Sequence, residues 1–224
     1  MRAALFDVFG TLLDVYSVEA LAEHLFPGHG ARLARIWRDK QIEYTRVRAL
    51  SGRYAPFSQV TREALEFCVA MLGLDATEEK LCALLAQYER LTAFPESRDV
   101  LECLSDAGVA LGVLTNGDPP LVRAALENAR LLPLLEHLLS ADAVQTFKTA
   151  APVYALGPRS LGMPANDILF VSSNGWDAIG ATWFGYTTFW VNRTEAPLER
   201  LGTAPHATGR SLTDAADFLL SRLR

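Results

Sequence analysis

Met1-Arg-Ala-Ala-Leu-Phe-Asp7-Val-Phe-Gly10-Thr11-Leu-Leu-Asp14 is the stretch whose reading decides the fold. Ala3 to Phe6 is apolar without interruption, the pattern of a strand buried on both faces of a parallel sheet. The run stops on Asp7, and Gly10 and Thr11 mark a turn leaving the strand's carboxyl end. Ligands of open α/β sheets bind at that end. A carboxylate there can act as a nucleophile, a metal ligand or the cap of a turn.

Beyond Asp14 the pattern changes, and residues 17 to about 90 read as helices only. Ser17 is expected to cap a helix through Phe26, which Pro27-Gly-His-Gly30 breaks. Leu33, Ile36, Trp37, Tyr44 and Val47 recur at helical spacing over residues 31–50, and Gly52 ends that helix. A third helix is expected from Ser58 or Thr61 to Leu72, and a fourth from the Thr77 cap with two acids in its first turn. These four form a helical-bundle cap inserted after the first strand. The segment 91–95 returns the chain to the core.

From Pro95 strands and helices alternate. Strands are expected at residues 109–114, 138–144, 168–171 and 187–191, with a final helix capped by Ser211 or Thr213. This order argues for a doubly wound parallel sheet of the α/β class. The expected division is an α/β core from residues 1–14 and 95–224 and a cap from residues 15–94. Gly157-Pro158 falls inside the helix expected at 152–161, where proline costs about 3 kcal/mol, so a kink or split is expected.

The 224 residues carry a net charge of -5, and the pI is about 5.4, so no electrostatic footprint for nucleic acid is present. No apolar run approaches a membrane span, and no signal peptide is expected. Cys68, Cys82 and Cys103 show no Cys-x-x-Cys pair or Cys/His cluster. They are expected to be three buried thiols in a reducing cytoplasm.

Three further polar segments end strands or follow them. Thr115-Asn116-Gly117 is by itself an ordinary turn, and Lys148 in Phe147-Lys148-Thr149 is by itself a surface lysine. Ser172-Ser173-Asn174-Gly175-Trp176-Asp177 caps the next helix. Taken with Asp7-x-x-Gly10-Thr11, the set resembles the haloacid dehalogenase superfamily from residue 3 to about 193. Within it the set is similar to the branch of (S)-2-haloacid (type II L-2-haloacid) dehalogenases. Phosphatases of the superfamily carry a second Asp where Phe9 stands, and Gly-Asp or Asp-Asp where Ser172 and Ser173 stand. Magnesium needs hard oxygen ligands. With Asp7 and Asp177 as the only acids in view and a lysine beside them, neither metal nor cofactor is expected.

The resemblance implies hydrolysis of short (S)-2-haloalkanoic acids to (R)-2-hydroxy acids through an ester on Asp7. It implies Asp177 as the base for the hydrolytic water, helped by Lys148 and Asn174, with Arg38 and Asn116 cradling the halide. Thr115 and the backbone N–H groups near Val8 and Phe9 would hold the substrate carboxylate. Thr11, Ser172 and Tyr154 would orient Asp7, Lys148 and the substrate, and Phe9, Phe57 and Trp176 would form apolar walls. The family usually has Pro after the lysine, where this chain has Thr149. A homodimer formed through the cap is also implied. Competing readings are a phosphatase or a small-ring acid hydrolase on the same scaffold, and a catalytically idle binding protein.

Overall fold

The computed structural model describes residues 1–223. In chain order the strands are β1 (Ala3–Phe6), β2 (Leu13–Asp14), β3 (Thr92–Ala93), β4 (Ala110–Thr115), β5 (His137–Ser140), β6 (Ile168–Ser172), β7 (Thr187–Val191) and β8 (Ala207–Gly209). The helices are α1 (Glu19–Leu25), α2 (Gly30–Ser51), α3 (Phe57–Met71), α4 (Glu78–Gln87), α5 (Ser97–Asp106), α6 (Pro119–Asn128), α7 (Ala151–Tyr154), α8 (Leu156–Leu161), α9 (Gly175–Phe184) and α10 (Leu212–Leu220).

Six strands form one parallel sheet in the order β5-β4-β1-β6-β7-β8. The apolar run of β1 is explained by its place at the centre. Ala4 and Phe6 join the apolar cluster on one face, and Ala3 and Leu5 join Tyr154, Phe170 and Tyr186 on the other. The chain leaves β1 for β4 and β5 on one side and returns to β6 on the other. The order therefore reverses between β1 and β6, which is where such sheets open a crevice. Register fixes what faces it. Phe6 pairs with Val113 and with Val171, so Asp7, Thr115 and Ser172 emerge together at the carboxyl edge.

The chain leaves the sheet through β2 and returns through β3, and the two pair antiparallel. Between them α2 packs on α1 and α3, burying Leu33, Trp37, Val60, Leu65 and Cys68. Gly52 ends α2 at φ 65°, a left-handed conformation that favours glycine.

Several local expectations are corrected. Ser17 does not cap α1. Its hydroxyl donates to the Asp14 carbonyl, and Asp14 itself caps a short 3₁₀ turn at Val15–Val18. Helix α3 starts at Phe57 after Pro56, so neither Ser58 nor Thr61 caps it. The segment 138–144 is half strand and half 3₁₀ turn. Of the three cysteines only Cys68 is buried; Cys82 and Cys103 are exposed on the outer faces of α4 and α5. The split expected around Pro158, by contrast, is present: the helix divides into α7 and α8 at Ala155.

Candidate active site

The loop after β1 turns sharply because Gly10 takes φ 93°. The Val8 carbonyl accepts from the N–H groups of Thr11, Leu12 and Leu13, which closes the turn. The N–H groups of Val8 and Phe9 donate to no acceptor among the described residues. Asp7 continues the strand through its own N–H to Val171 at 2.9 Å. Its side chain therefore projects from a rigid element into the crevice.

Three elements supply donors to that carboxylate. Thr11 Oγ1 donates to Asp7 Oδ2 at 3.1 Å, and Asn174 Nδ2 donates to the same oxygen at 2.9 Å. Lys148 Nζ donates to Oδ1 at 3.0 Å. Three donors from three elements fix the rotamer of this carboxylate. Thr11 is itself held by the Ser173 N–H, which donates to its Oγ1 at 2.8 Å. Lys148 is 1% exposed and also donates to Asp177 Oδ2 at 2.8 Å. Its backbone N–H donates to Asn116 Oδ1 at 2.8 Å, so the lysine is anchored although Thr149 follows it. The Lys148–Thr149 peptide is cis.

The electrostatics follow from this packing. Burial alone would lower the Lys148 ammonium, but Asp177 and Asp7 outweigh it and hold it above its ordinary value. Burial raises Asp177 above the usual aspartate range; Lys148 opposes that rise and the Asp7 charge adds to it. Asp177 Oδ1 accepts from the Tyr154 hydroxyl at 2.7 Å. Burial and the Asp177 charge push the Tyr154 phenol well above its ordinary value, so it stays a donor.

From the helical layer, Arg38 on α2 reaches the same loop. It donates to the Phe9 carbonyl at 3.0 Å, to Asn174 Oδ1 at 3.4 Å and to Gln41 Oε1 at 2.8 Å. Arg32, Arg35 and Arg46 make no such contact with the loop. Gln41 was not singled out from the sequence. It lies one turn beyond Arg38 and is fully buried, a polar residue at a core position of α2, and that placement is the signal that marks it. Phe9 stacks on Phe57 with ring centroids 5.4 Å apart.

Asp7, Phe9, Arg38, Ile42, Phe57, Thr115, Asn116, Asn174 and Trp176 enclose a cavity of about 10 Å³. That is room for roughly one water. Arg38, Ile42, Asn174 and Trp176 also line an outer cleft of about 1080 Å³, so these four side chains separate the two spaces. Arg46 lies over the Trp176 ring at 5.2 Å on the outer side.

The structure thus gathers Asp7, Thr11, Arg38, Lys148, Asn174 and Asp177 in one connected network, with Thr115, Asn116, Phe9 and Trp176 on the cavity wall. Three placements differ from the expected ones. Among the described residues Ser172 hydrogen-bonds neither Asp7 nor Lys148; its hydroxyl accepts from the Asn174 N–H at 3.1 Å and so shapes the loop. Tyr154 bonds Asp177, not Asp7 or Lys148. Asp177 does not line the cavity, because Lys148 stands between it and Asp7. Sequence spacing located all three residues; the packing of α7 on α9 shows which neighbour Tyr154 and Asp177 serve, and the loop after β6 shows it for Ser172.

A buried carboxylate held by a lysine at the carboxyl edge of a doubly wound sheet is the setting of a hydrolase, and the comparisons agree. The haloacid dehalogenase-like hydrolase family matches residues 1–185, and the chain belongs to it. The (S)-2-haloacid dehalogenase of Pseudomonas sp. (strain YL) is 42% identical over 205 residues, 92% of this chain and 88% of that protein. Among solved structures, the L-2-haloacid dehalogenase RSc1362 matches with a TM-score of 0.96 at 49% identity, over 98% of this chain and 99% of that one. The L-2-haloacid dehalogenase from Xanthobacter autotrophicus with chloropropionic acid covalently bound matches with a TM-score of 0.92 at 35% identity, over 98% of each chain.

Proposed function

We propose that the chain is a hydrolytic dehalogenase that converts short (S)-2-haloalkanoic acids to (R)-2-hydroxy acids. The observation that carries the reading is the setting of Asp7, held by three donors and facing a cavity whose wall carries one cation, Arg38, and no second acid. Asp7 attacks C2 from the face opposite the halogen. The carbon–oxygen bond forms as the carbon–halogen bond breaks, the halide takes the electron pair, and the centre inverts. Arg38 and the Asn116 amide face the departing halide. The substrate carboxylate is held by Thr115 and by the free N–H groups of Val8 and Phe9.

Water then attacks the carbonyl carbon of the Asp7 ester, the bond from that carbon to the alkyl oxygen breaks, and the 2-hydroxy acid leaves, its oxygen taking up the proton removed from the water, which restores the carboxylate. Asp177 takes the proton of that water; its basicity, kept up by burial, suits the task. Lys148 and Tyr154 orient it, and Asn174, Thr11 and Ser172 hold the loop. Phe9 favours this reading over a phosphatase, because a halide leaves as an anion and needs no proton donor where phosphatases place a second acid. The Lys148 ammonium between the two carboxylates fills the place a cation would take.

Residues 15–94 act as a cap domain over a core of residues 1–14 and 95–224. β2 and β3 are the crossing points. The active form is a cytoplasmic homodimer joined through the cap, and the exposed Val47 and Leu50 on α2 and Phe67 and Met71 on α3 supply apolar surface for it.

A single turnover in ¹⁸O-water with enzyme in excess tests the chemistry. The label is expected in the Asp7 peptide and not in the first hydroxy acid. Label in the product alone would show direct attack of water on C2 and end the covalent reading.

A further inference from the structure

The split between α7 and α8 has a consequence for the acid–base pair. In a helix the carbonyl of residue 154 takes the N–H of residue 158, and Pro158 has none. The Tyr154 carbonyl is buried, and leaving such a group without a donor is costly. The missing donor is supplied by a neighbour on the same face of the sheet. Tyr186, in the turn between α9 and β7, donates its hydroxyl to the Tyr154 carbonyl at 2.6 Å. Both side chains are fully buried, and their rings meet edge to face with centroids 6.2 Å apart.

Gly157 makes the contact possible. A Cβ there would overlap the Tyr186 hydroxyl and come within 2.6 Å of Leu5. Glycine opens the space and the next residue, proline, frees the carbonyl. The far end of Tyr154 is as closely held. Its hydroxyl donates to Asp177 Oδ1 at 2.7 Å and to the Asp177 carbonyl at 3.2 Å, and a Cβ on Gly180 would lie 2.6 Å from it. Tyr154 is therefore fixed at its backbone by Tyr186 and at its tip by Asp177.

We infer that Tyr186 is a positioning residue for the Tyr154–Asp177 pair, acting on the Tyr154 carbonyl that Pro158 leaves without an intrahelical donor. The inference rests on the dehalogenase reading, in which Asp177 serves ester hydrolysis and not ester formation. Without the Tyr186 hydroxyl the backbone at Tyr154 shifts to find a donor, and the phenol no longer holds Asp177 in line. Hydrolysis slows while attack by Asp7 does not. Slower hydrolysis lowers kcat without raising KM, and the ester accumulates.

The experiment measures halide release from 2-chloropropionate and the mass of the enzyme at steady state for wild type, Tyr186→Phe, Pro158→Ala, Tyr154→Phe and the two double variants that contain Tyr186→Phe. Tyr186→Phe is expected to lower kcat about tenfold, with KM not raised and the Asp7 ester visible by mass. Pro158→Ala restores an N–H one turn beyond the Tyr154 carbonyl. In that background the added Tyr186→Phe change is expected to alter kcat by no more than about twofold. In the Tyr154→Phe background it is expected to add nothing.

Tyr186→Phe turning over like wild type overturns the inference. So does a loss that Pro158→Ala fails to relieve and that adds to the loss in Tyr154→Phe, since that is a packing effect. Should Tyr186→Phe not fold, the Pro158→Ala/Tyr186→Phe protein decides: folded and as active as Pro158→Ala supports the inference, unfolded overturns it. Wild type that releases no halide sinks the dehalogenase reading itself, whereas wild type that does so beside an unaffected Tyr186→Phe sinks only the role of Tyr186.

Discussion

Lys148→Met keeps most of the lysine stem and removes the charge that two carboxylates share. In the wild type Nζ lies 3.0 Å from Asp7 Oδ1 and 2.8 Å from Asp177 Oδ2, at 1% exposure. An ion pair at about 4 Å is worth about 4 kcal/mol at an effective permittivity of about 20, and both contacts here are closer. The cluster goes from one net negative charge to two. Removing one partner of a buried pair costs about 3–5 kcal/mol, because the remaining charge is left uncompensated. The variant has an escape, since one carboxyl can take up a proton.

That escape gives the loss a pH dependence. In the variant a carboxyl has a folded pKa raised above its unfolded value. Its contribution to stability is fully present below the unfolded pKa and is lost as pH rises through the folded one. The destabilisation measured by urea unfolding is therefore expected to be about 3–5 kcal/mol near pH 8 and clearly smaller near pH 5. Halide release is expected to fall by about 10²–10⁴, because the nucleophile and base are no longer both ionised. A variant equally destabilised at both pH values, with turnover within tenfold of wild type, would refute Lys148 as the shared counter-ion.

Arg38→Lys keeps the charge but loses the planar fork that spans Phe9, Asn174 and Gln41. Expected is a fall in kcat of about 10²-fold on chloro- and bromo-acids with unfolding unchanged within about 1 kcal/mol; near-normal turnover would return Arg38 to a structural role. Turnover in excess EDTA is expected to match that in added magnesium, and activity lost to chelator and regained with magnesium would overturn the assignment of Lys148 as the site's cation. The acid limb of the kcat profile is expected above the ordinary aspartate value of about 3.9, because burial raises Asp177 and activity is lost as pH falls through its pKa; a limb at or below that value would remove Asp177 as the base.

Much of the core was legible because its signals are local. Ala3 to Phe6 is apolar on both faces since β1 lies at the sheet's centre, and Asp7 follows where register must place a side chain in the crevice. The Thr77 and Ser211 caps bond the residues their spacing predicts. What was not legible depends on distant partners. Ser17 and Ser58 have capping side chains, yet the start of each helix was set by contacts outside it. Asp14 caps the first turn, and the Ser58 N–H is taken by Asp118 at the start of α6. Cys82 and Cys103 lie at helical positions that carry no mark of which face meets the core. Short β8 was missed because three residues give no periodicity to read.

The size of the inner cavity bears on how the two layers must work together. Its roughly 10 Å³ accommodates about one water, far less than any haloacid. The same packing that leaves Asp7 room for only about one water therefore excludes substrate, and at least one of the four separating side chains must move for turnover. Asn174 is tied to Asp7 and to the Phe9 carbonyl, and Arg38 is tied to Phe9, Asn174 and Gln41. Ile42 and Trp176 have no such ties to the core loop. The structure holds the helical layer down elsewhere as well, through the Tyr54 hydroxyl on Asp142 at 2.6 Å and the Ser58 N–H on Asp118 at 2.6 Å. Because Arg38 belongs to α2 and its partner loop follows β1, any movement of the helices that admitted substrate would also withdraw the guanidinium. Closure would return it to the site. In the proposed reaction, where Arg38 receives the halide, closure and assembly of the halide site would then be coupled through the attachment of Arg38 to α2, and ester formation would belong to the closed state.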